Sequence, residues 1–252
     1  MIKPFRTSIQ SGQQLNGLLI TVPSPELVEI VSTAGFDWLF FDLEHSAMGI
    51  ETLQKLLRCV SDSCLAAVRV PEPSPAYVAK VLDAGAEGVI FPRISTEEQA
   101  RKAVALCKYP PLGNRGVGLS RAQGYGNTFS EYLKVANERI ACILQIEDEK
   151  GARNASQISA VEGVDALFVG PYDLSMSMGI PGEVAHNSIK KIIRNLPEVV
   201  SDHTGLGILT ADMALYREYA DLGYNLIACG IDTQLINNGA KKLISSVKNT
   251  AN

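Results

Sequence analysis

The chain has 252 residues, 46% hydrophobic and 20% charged, with a formal net charge of −4 and a mean hydropathy of +0.08, which fits a water-soluble protein with apolar material for one large core. No basic tract or basic–aromatic interleaving suits nucleic acid, no apolar run has the length of a membrane span, and the opening MIKPFRTSIQSGQQ lacks the apolar core of a signal peptide. The five cysteines are odd in number, have no zinc-site spacing and mostly lie in apolar patterns, as buried free thiols do in a reducing cytoplasm.

Strand and helix signals alternate along the chain with no linker between them. Leu15–Thr21 is a first strand, followed by a helix from Pro25 to Ala34 with proline in its first turn and Gly35 ending it. Phe36–Asp42 is a second strand that runs into Asp42-Leu-Glu-His45, and Leu53, Leu56, Leu57 and Val60 form the apolar stripe of its helix. Cys64–Val70 and its helix, Ser74–Asp83, make a third round; Gly88–Phe91 and a helix starting at Ser95 make a fourth. A long excursion follows over residues 109–127, functional or disordered on length grounds, before a helical piece at Phe129–Ala136. Ile140–Ile146 with the helix Glu149–Val161 is the fifth round. Asp165–Val169 is the sixth, with a short turn at Leu174–Met178 and a helix near Ser188–Leu196. Leu206–Leu209 and Asn225–Cys229 complete the set, each with its helix. Eight unbroken βα rounds predict one (β/α)8 TIM-barrel domain over residues 1–252. No glycine-rich dinucleotide turn follows the first strand, which argues against an open doubly wound sheet.

In such a barrel the reactive groups collect at the C-terminal ends of the strands. Those ends carry Asp42, Glu44 and His45, then Arg69, then Gln145 and Glu147, then Gly170, Pro171 and Asp173. Glu147 and Asp173 would stand at the same end of neighbouring strands. Two carboxylates so placed repel each other unless a cation lies between them, and oxygen-only ligation favours Mg2+ or Mn2+ over zinc. Acidic helix N-caps would give the same spacing, so both readings stay open here. Likewise His45 is either a satisfied core histidine or an acid/base. Arg69 follows Leu65-Ala-Ala-Val68, which carries a permanent charge toward a buried strand end where it needs an anion. Together these residues suit a 2-oxo acid such as pyruvate. A divalent ion chelated by its carboxylate and ketone oxygens would act as Lewis acid, Arg69 would face the enolate oxygen, and the turn at Tyr172–Leu174 would hold the carboxylate. His45 would move protons at the other carbonyl, with a nearby carboxylate, Asp42, to orient its ring. Imine chemistry needs a desolvated lysine, and none of the eight strands contains one.

The segments FDLEH (41–45), VRVP (68–71), YPPLGNRGVG (109–118), QIE (145–147), VEGVDALFVGPYDLS (161–175) and GIL (207–209) resemble the HpcH/HpaI family of class II, metal-dependent pyruvate aldolases. That family includes 4-hydroxy-2-oxoheptanedioate and 2-dehydro-3-deoxyglucarate aldolases. The resemblance implies a carbon–carbon lyase that reversibly cleaves a 4-hydroxy-2-oxo acid to pyruvate and an aldehyde, with Mg2+, Mn2+ or Co2+ as cofactor. By the same resemblance Glu147 and Asp173 bind the metal, and Gln145 with the backbone around Gly170, Pro171, Tyr172 and Asp173 holds the oxo acid. Arg69 stabilises the enolate, His45 is the acid/base, and Asp83 raises the basicity of a histidine. It also implies a hexamer whose last helix is exchanged between subunits. Leu43 stands where the familiar aldolases often have Gly, and Tyr172 where they have Ala or Ser, which bears on the aldehyde more than on the oxo acid. Arg121 and Tyr125 could meet that aldehyde or be solvated loop residues. Two alternatives are a CoA-thioester lyase of the malyl-/citryl-CoA type and an inactive barrel used for binding. The first would need a basic groove, and the only Lys/Arg clusters, Lys190-Lys191 and Lys241-Lys242, read as helix surface.

Overall fold

Eight parallel strands close in sequence order into a barrel in the computed structural model, which describes residues 3–250. They are β1 (Leu15–Ile20), β2 (Trp38–Asp42), β3 (Leu65–Arg69), β4 (Gly88–Phe91), β5 (Ala141–Ile146), β6 (Ala166–Val169), β7 (Gly205–Leu209) and β8 (Leu226–Ile231). β8 pairs with β1 to complete the ring, with a register shift between Gly17 and Leu19. The expected (β/α)8 architecture is therefore observed.

The helices are α1 (Phe5–Gln10), α2 (Pro25–Ser32), α3 (Ile50–Leu57), α4 (Pro75–Asp83), α5 (Glu97–Cys107), α6 (Phe129–Arg139), α7 (Glu149–Arg153), α8 (Ala155–Ser159), α9 (Pro171–Ser177), α10 (Asn187–Val199), α11 (Met213–Asp221) and α12 (Asp232–Thr250). Local chemistry sets their starts. Ser24 accepts the Leu27 amide with Pro25 at the first position of α2, and Thr96 and Gln99 form a reciprocal capping box at α5. The helix expected over Glu149–Val161 is instead two. Asn154 leaves helical geometry (φ −95, ψ 6), and its side-chain amide donates to Ser95 O at 2.7 Å. The expected turn at Leu174–Met178 is the later part of α9.

Period-two alternation sorts the strand side chains. Leu39, Phe41, Ala66, Val68, Val89, Cys142, Leu144 and Leu167 face the helices. Trp38, Phe40, Leu65, Ala67, Ile90, Ile143 and Phe168 fill the barrel, where Phe40 and Phe168 meet edge to face at 5.6 Å. A Cβ on Gly17 would lie 2.4 Å from the Trp38 ring, so this strand must carry glycine there.

Helix α1 was not anticipated from sequence. Phe5 and Ile9 plug the base of the barrel and are buried with its interior residues. Arg6 Nε and Gln10 Nε2 both donate to Asp165 Oδ1, at 2.8 and 3.1 Å. The 109–127 excursion is ordered. Arg115 is buried between the rings of Tyr109 and Tyr132, and Arg121–Gly126 forms tight 3-10 turns broken by a kink at Gln123–Tyr125, where Gly124 and Tyr125 have positive φ. Arg121 is more than a solvated loop residue, because it donates to Ala84 O and Leu57 O; Tyr125 is exposed. At the other end of the chain, every residue from Thr233 to Asn249 of α12 is exposed, including Leu235, Ile236, Leu243 and Ile244.

Candidate active site

The alternation that fills the barrel continues to its rim. On β2 it carries inward pointing from Phe40 to Asp42, and on β3 from Ala67 to Arg69. On β5 it runs from Ile143 through Gln145 to Glu147, and on β6 from Phe168 to Gly170. The polar residues thus take the last inward positions, above a plug of Phe40, Ile90, Ile143 and Phe168. This is the C-terminal face, where βα loops converge.

Arg69 meets Asp42 bidentately, Nε to Oδ1 at 2.9 Å and Nη2 to Oδ2 at 2.7 Å. Both side chains are buried. Burial works against the arginine's charge, but its hydrogen bonds and the charges of Asp42, Glu44 and Glu147 outweigh this and hold its pKa above the ordinary value. Burial likewise raises Asp42, and Arg69 more than reverses it, leaving that carboxyl below its usual range. Asp42 Oδ1 also accepts the amides of Glu44 (2.9 Å) and His45 (3.3 Å). It therefore shapes the turn that carries His45.

The carboxylate nearest the His45 ring is Glu44, with Oε2 3.8 Å from Nε2. Glu44 also lies 3.4 Å from Arg69 Nε and 3.1 Å from Arg93 Nη2. His45 itself is 64% exposed, so it is no satisfied core histidine.

Glu147 is buried, and its Oε2 accepts the Arg93 amide at 2.9 Å. Burial, then the negative charge of Asp173, push its pKa up to about 7. Neither carboxylate is a side-chain helix cap. Asp148 is the cap of α7, accepting the Gly151 amide at 2.6 Å. Asp173 lies in the first turn of α9 with no capping bond from its N-cap, Gly170. A Cβ on Gly170 would sit 2.9 Å from Glu147 Cγ and 3.2 Å from Oε1, so glycine keeps that oxygen clear. Beside them Gln145 Oε1 is buried and has no hydrogen-bond partner among the described residues. An unpaired buried oxygen next to two like charges fits a cation and a polar ligand. No group of three or more His, Cys, Asp and Glu side chains gathers as a metal cage among the described residues. Two carboxylates completed by substrate oxygens and water is the pattern Mg2+ accepts.

Pro171 and Tyr172 begin α9 beside a cavity of about 650 Å3 that extends toward Leu209, Ile231, Leu215 and Tyr219. Tyr172 is 64% exposed, whereas Leu43 is buried in the outer core. Asp83 is elsewhere. It ends α4, at the base of the barrel, where it accepts from Arg115 (2.8 Å) and Gln123 (3.2 Å). Within one chain it does not meet His45.

Arg93 was not singled out from sequence, although its place two residues beyond β4 is a strand-end position like the others. Glu44 was noted at its strand end without a role.

The HpcH/HpaI aldolase/citrate lyase family profile matches residues 16–239. The chain is 34% identical to a hydroxypyruvate/pyruvate aldolase of Cupriavidus necator, over 97% of this chain and 92% of the relative. It is also 34% identical to a 4-hydroxy-2-oxo-heptane-1,7-dioate aldolase of Salmonella typhimurium, over 96% and 94%. Its fold superposes with a TM-score of 0.92 on a crystal structure of an HpcH/HpaI aldolase/citrate lyase family protein from Burkholderia cenocepacia J2315. The two are 32% identical, with 96% of this chain and 98% of that one covered.

Proposed function

Because the chain belongs to the HpcH/HpaI aldolase/citrate lyase family, we propose that it is a pyruvate aldolase that cleaves a 4-hydroxy-2-oxo acid to pyruvate and an aldehyde with a divalent ion such as Mg2+ or Mn2+. The observation that carries this is the pair formed by Glu147, lifted to about pH 7 by burial and by Asp173, and the unpartnered Gln145 oxygen beside it.

Glu147 and Asp173 would hold the ion. When bound, it supplies Lewis-acid polarisation of the oxo acid's carbonyl. Gln145 and the backbone from Gly170 to Asp173 orient the oxo acid over the barrel mouth. His45 takes the proton from the 4-hydroxyl, the bond between C3 and C4 breaks, and its electron pair becomes the pyruvate enolate as the aldehyde leaves. Arg69, pre-set by Asp42, faces the enolate oxygen without reorganising. A proton returned to C3 completes pyruvate. Asp42 acts through Arg69 and the His45 turn, and Glu44 is the carboxylate placed to orient the imidazole.

The protein would work as a homo-oligomer of the hexameric type. One feature favours this: Leu235, Ile236, Leu243 and Ile244 give α12 an apolar side that its own barrel leaves exposed. Removing residues 234–252 should abolish assembly and activity together in light scattering and in the aldolase assay. Free rather than paired cysteines suit a cytoplasmic enzyme. A thioester lyase is disfavoured, since full-length relatives at 34% identity are named as aldolases of oxo acids.

The test is pyruvate release from oxaloacetate and from a panel of 4-hydroxy-2-oxo acids, with and without Mg2+ or Mn2+. Metal-dependent release from both substrate classes is expected. Metal-independent release, or release only from CoA thioesters, would overturn the proposal.

A further inference from the structure

Arg93 has an unusual backbone. Its φ is +56°, a region that glycine and asparagine enter readily and other side chains avoid. Surroundings must hold such a residue in place, and residues held this way cluster at working sites. Here the next amide, that of Ile94, donates to Gln145 O at 3.0 Å and ties the segment after β4 to β5. The Arg93 amide donates to Glu147 Oε2 at 2.9 Å. The guanidinium turns the other way, with Nη2 3.1 Å from Glu44 Oε1 and 3.2 Å from Pro71 O. One residue thus touches the segments after β2, β3 and β5.

We propose that Arg93 positions the rim in two separable ways: its amide holds Glu147 in the orientation that receives the ion, and its guanidinium holds Glu44 beside Arg69 and His45. Both halves rest on the function proposed above, the first on its metal site and the second on its aldol chemistry.

Consider the amide first. Glu147 has two oxygens, and the Arg93 N–H engages one of them. The other, Oε1, lies on the open side at Gly170. The single donor therefore fixes which oxygen is presented. A backbone that relaxed to negative φ would re-aim the donor, and Glu147 would lose its register with Asp173.

The guanidinium is 67% exposed while Glu44 is only 10% exposed. An ion pair with so much water around one partner adds little to stability. Its effect is on position. Without Arg93, the permanent charge left near Glu44 among the described residues is Arg69, whose Nε and Nη2 already serve Asp42. Glu44 would then be free to leave the His45 ring, 3.8 Å from it.

Two substitutions separate the halves, since both remove the guanidinium and only one tolerates the backbone. Arg93→Gly keeps the left-handed conformation at no steric cost, whereas the β-branched Arg93→Val resists it. Mn2+ affinity, by electron paramagnetic resonance titration of the full chain, should stay within about threefold of wild type in Arg93→Gly and weaken by about tenfold or more in Arg93→Val. Equal affinities in the two variants overturn the first half. Should Arg93→Val not fold, Arg93→Ala takes its place against glycine, with the same direction expected.

For the second half, Arg93→Gly should lose about tenfold more kcat/KM in aldol cleavage than in oxaloacetate decarboxylation, which requires no proton transfer from a substrate hydroxyl. An unchanged ratio of the two rates overturns it. A wild type that binds Mn2+ but processes neither substrate ends the aldolase reading and this half with it, while the glycine–valine comparison still decides the first.

Discussion

The barrel holds a buried carboxylate paired with an arginine at each end, and the two ends differ in what is left over. At the base Asp165 is fully engaged. Arg6, Gln10 and the Cys142 amide all donate to it. Lys108 Nζ lies 4.0 Å away, itself bound to Asn137 O and Ile140 O. At the rim Asp42 and Arg69 are equally well paired, but their neighbours are not: Gln145 Oε1 has no hydrogen-bond partner among the described residues, and Glu147, raised by burial as Asp165 is, is pushed further by the charge of Asp173, to about 7. Closed networks of this kind fix structure, and open ones mark where a ligand completes the set. The difference predicts that changes at the base act on stability and changes at the rim act on chemistry.

The widest separation should come from His45→Ala, which removes the proposed proton carrier. Aldol cleavage should fall by roughly 10²–10⁴-fold, with oxaloacetate decarboxylation much less affected. Equal losses in the two reactions would assign His45 a different role. Arg69→Ala should harm both, by about 2.7–4 kcal/mol in transition-state stabilisation, because both pass through the same enolate oxygen. Normal decarboxylation in that variant would remove Arg69 from the chemistry. Glu147→Gln and Asp173→Asn should each weaken Mn2+ binding by about 100-fold or more with the fold intact. Wild-type affinity in both would mean that the ion binds elsewhere.

The base supplies the contrast. Asp165→Asn leaves Lys108 and Arg6 without their carboxylate. That costs about 3 kcal/mol, the low end for a broken buried pair, because Arg6 keeps a quarter of its side chain exposed. For a chain of this size the melting temperature should drop by roughly 6–12 °C, while Mn2+ affinity and kcat at low temperature stay at wild-type levels. A loss of metal binding in Asp165→Asn would break the division between the two ends.

How much of this could be read beforehand follows from the same contrast. Arg69 was legible because a charge at the end of LAAVR violates the apolar pattern of a buried strand, and Glu147 because a carboxylate closes ILQI. Eight strand–helix rounds were legible because period two and period 3.6 differ plainly in the sequence. Pairings between distant residues were not. Arg6 and Asp165 are 159 positions apart, and two apolar residues, Phe5 and Ile9, are too few to announce α1. Arg93 was missed because an arginine after proline reads as loop surface, and neither its positive φ nor the aim of its amide is written in residue type. Asp83 reads as an ordinary end of α4, and its chain-local partners, Arg115 and Gln123, come from a loop whose folding depends on Tyr109 and Tyr132.

The smallest effect, and the sharpest on the nature of the rim, is with pH. Glu147 has a folded pKa of about 7 against a model carboxyl value of 4.5. The folded chain therefore binds a proton more tightly than the unfolded chain, and between those two values it holds one that the unfolded chain has released. Stability of the metal-free protein is greatest below the lower value and declines as pH rises through the window to about 7. A divalent ion binds only an ionised carboxylate, so an ion held by Glu147, as proposed, must displace that proton. Mn2+ affinity should accordingly fall by about tenfold for each pH unit below 7 and level off above it. Metal should also flatten the decline in melting temperature, since binding offsets the cost of the buried charge. In Glu147→Gln the pH dependence of Mn2+ affinity should disappear, because the glutamine has no proton to lose, and the decline in melting temperature should shrink to what Glu87 and Asp165, also raised by burial, contribute. Asp165→Asn should keep the pH dependence of Mn2+ affinity, at a lower melting temperature. A wild-type affinity that stays flat from pH 5 to about 8 would mean that Glu147 is already ionised throughout that range and that the rim is as closed as the base.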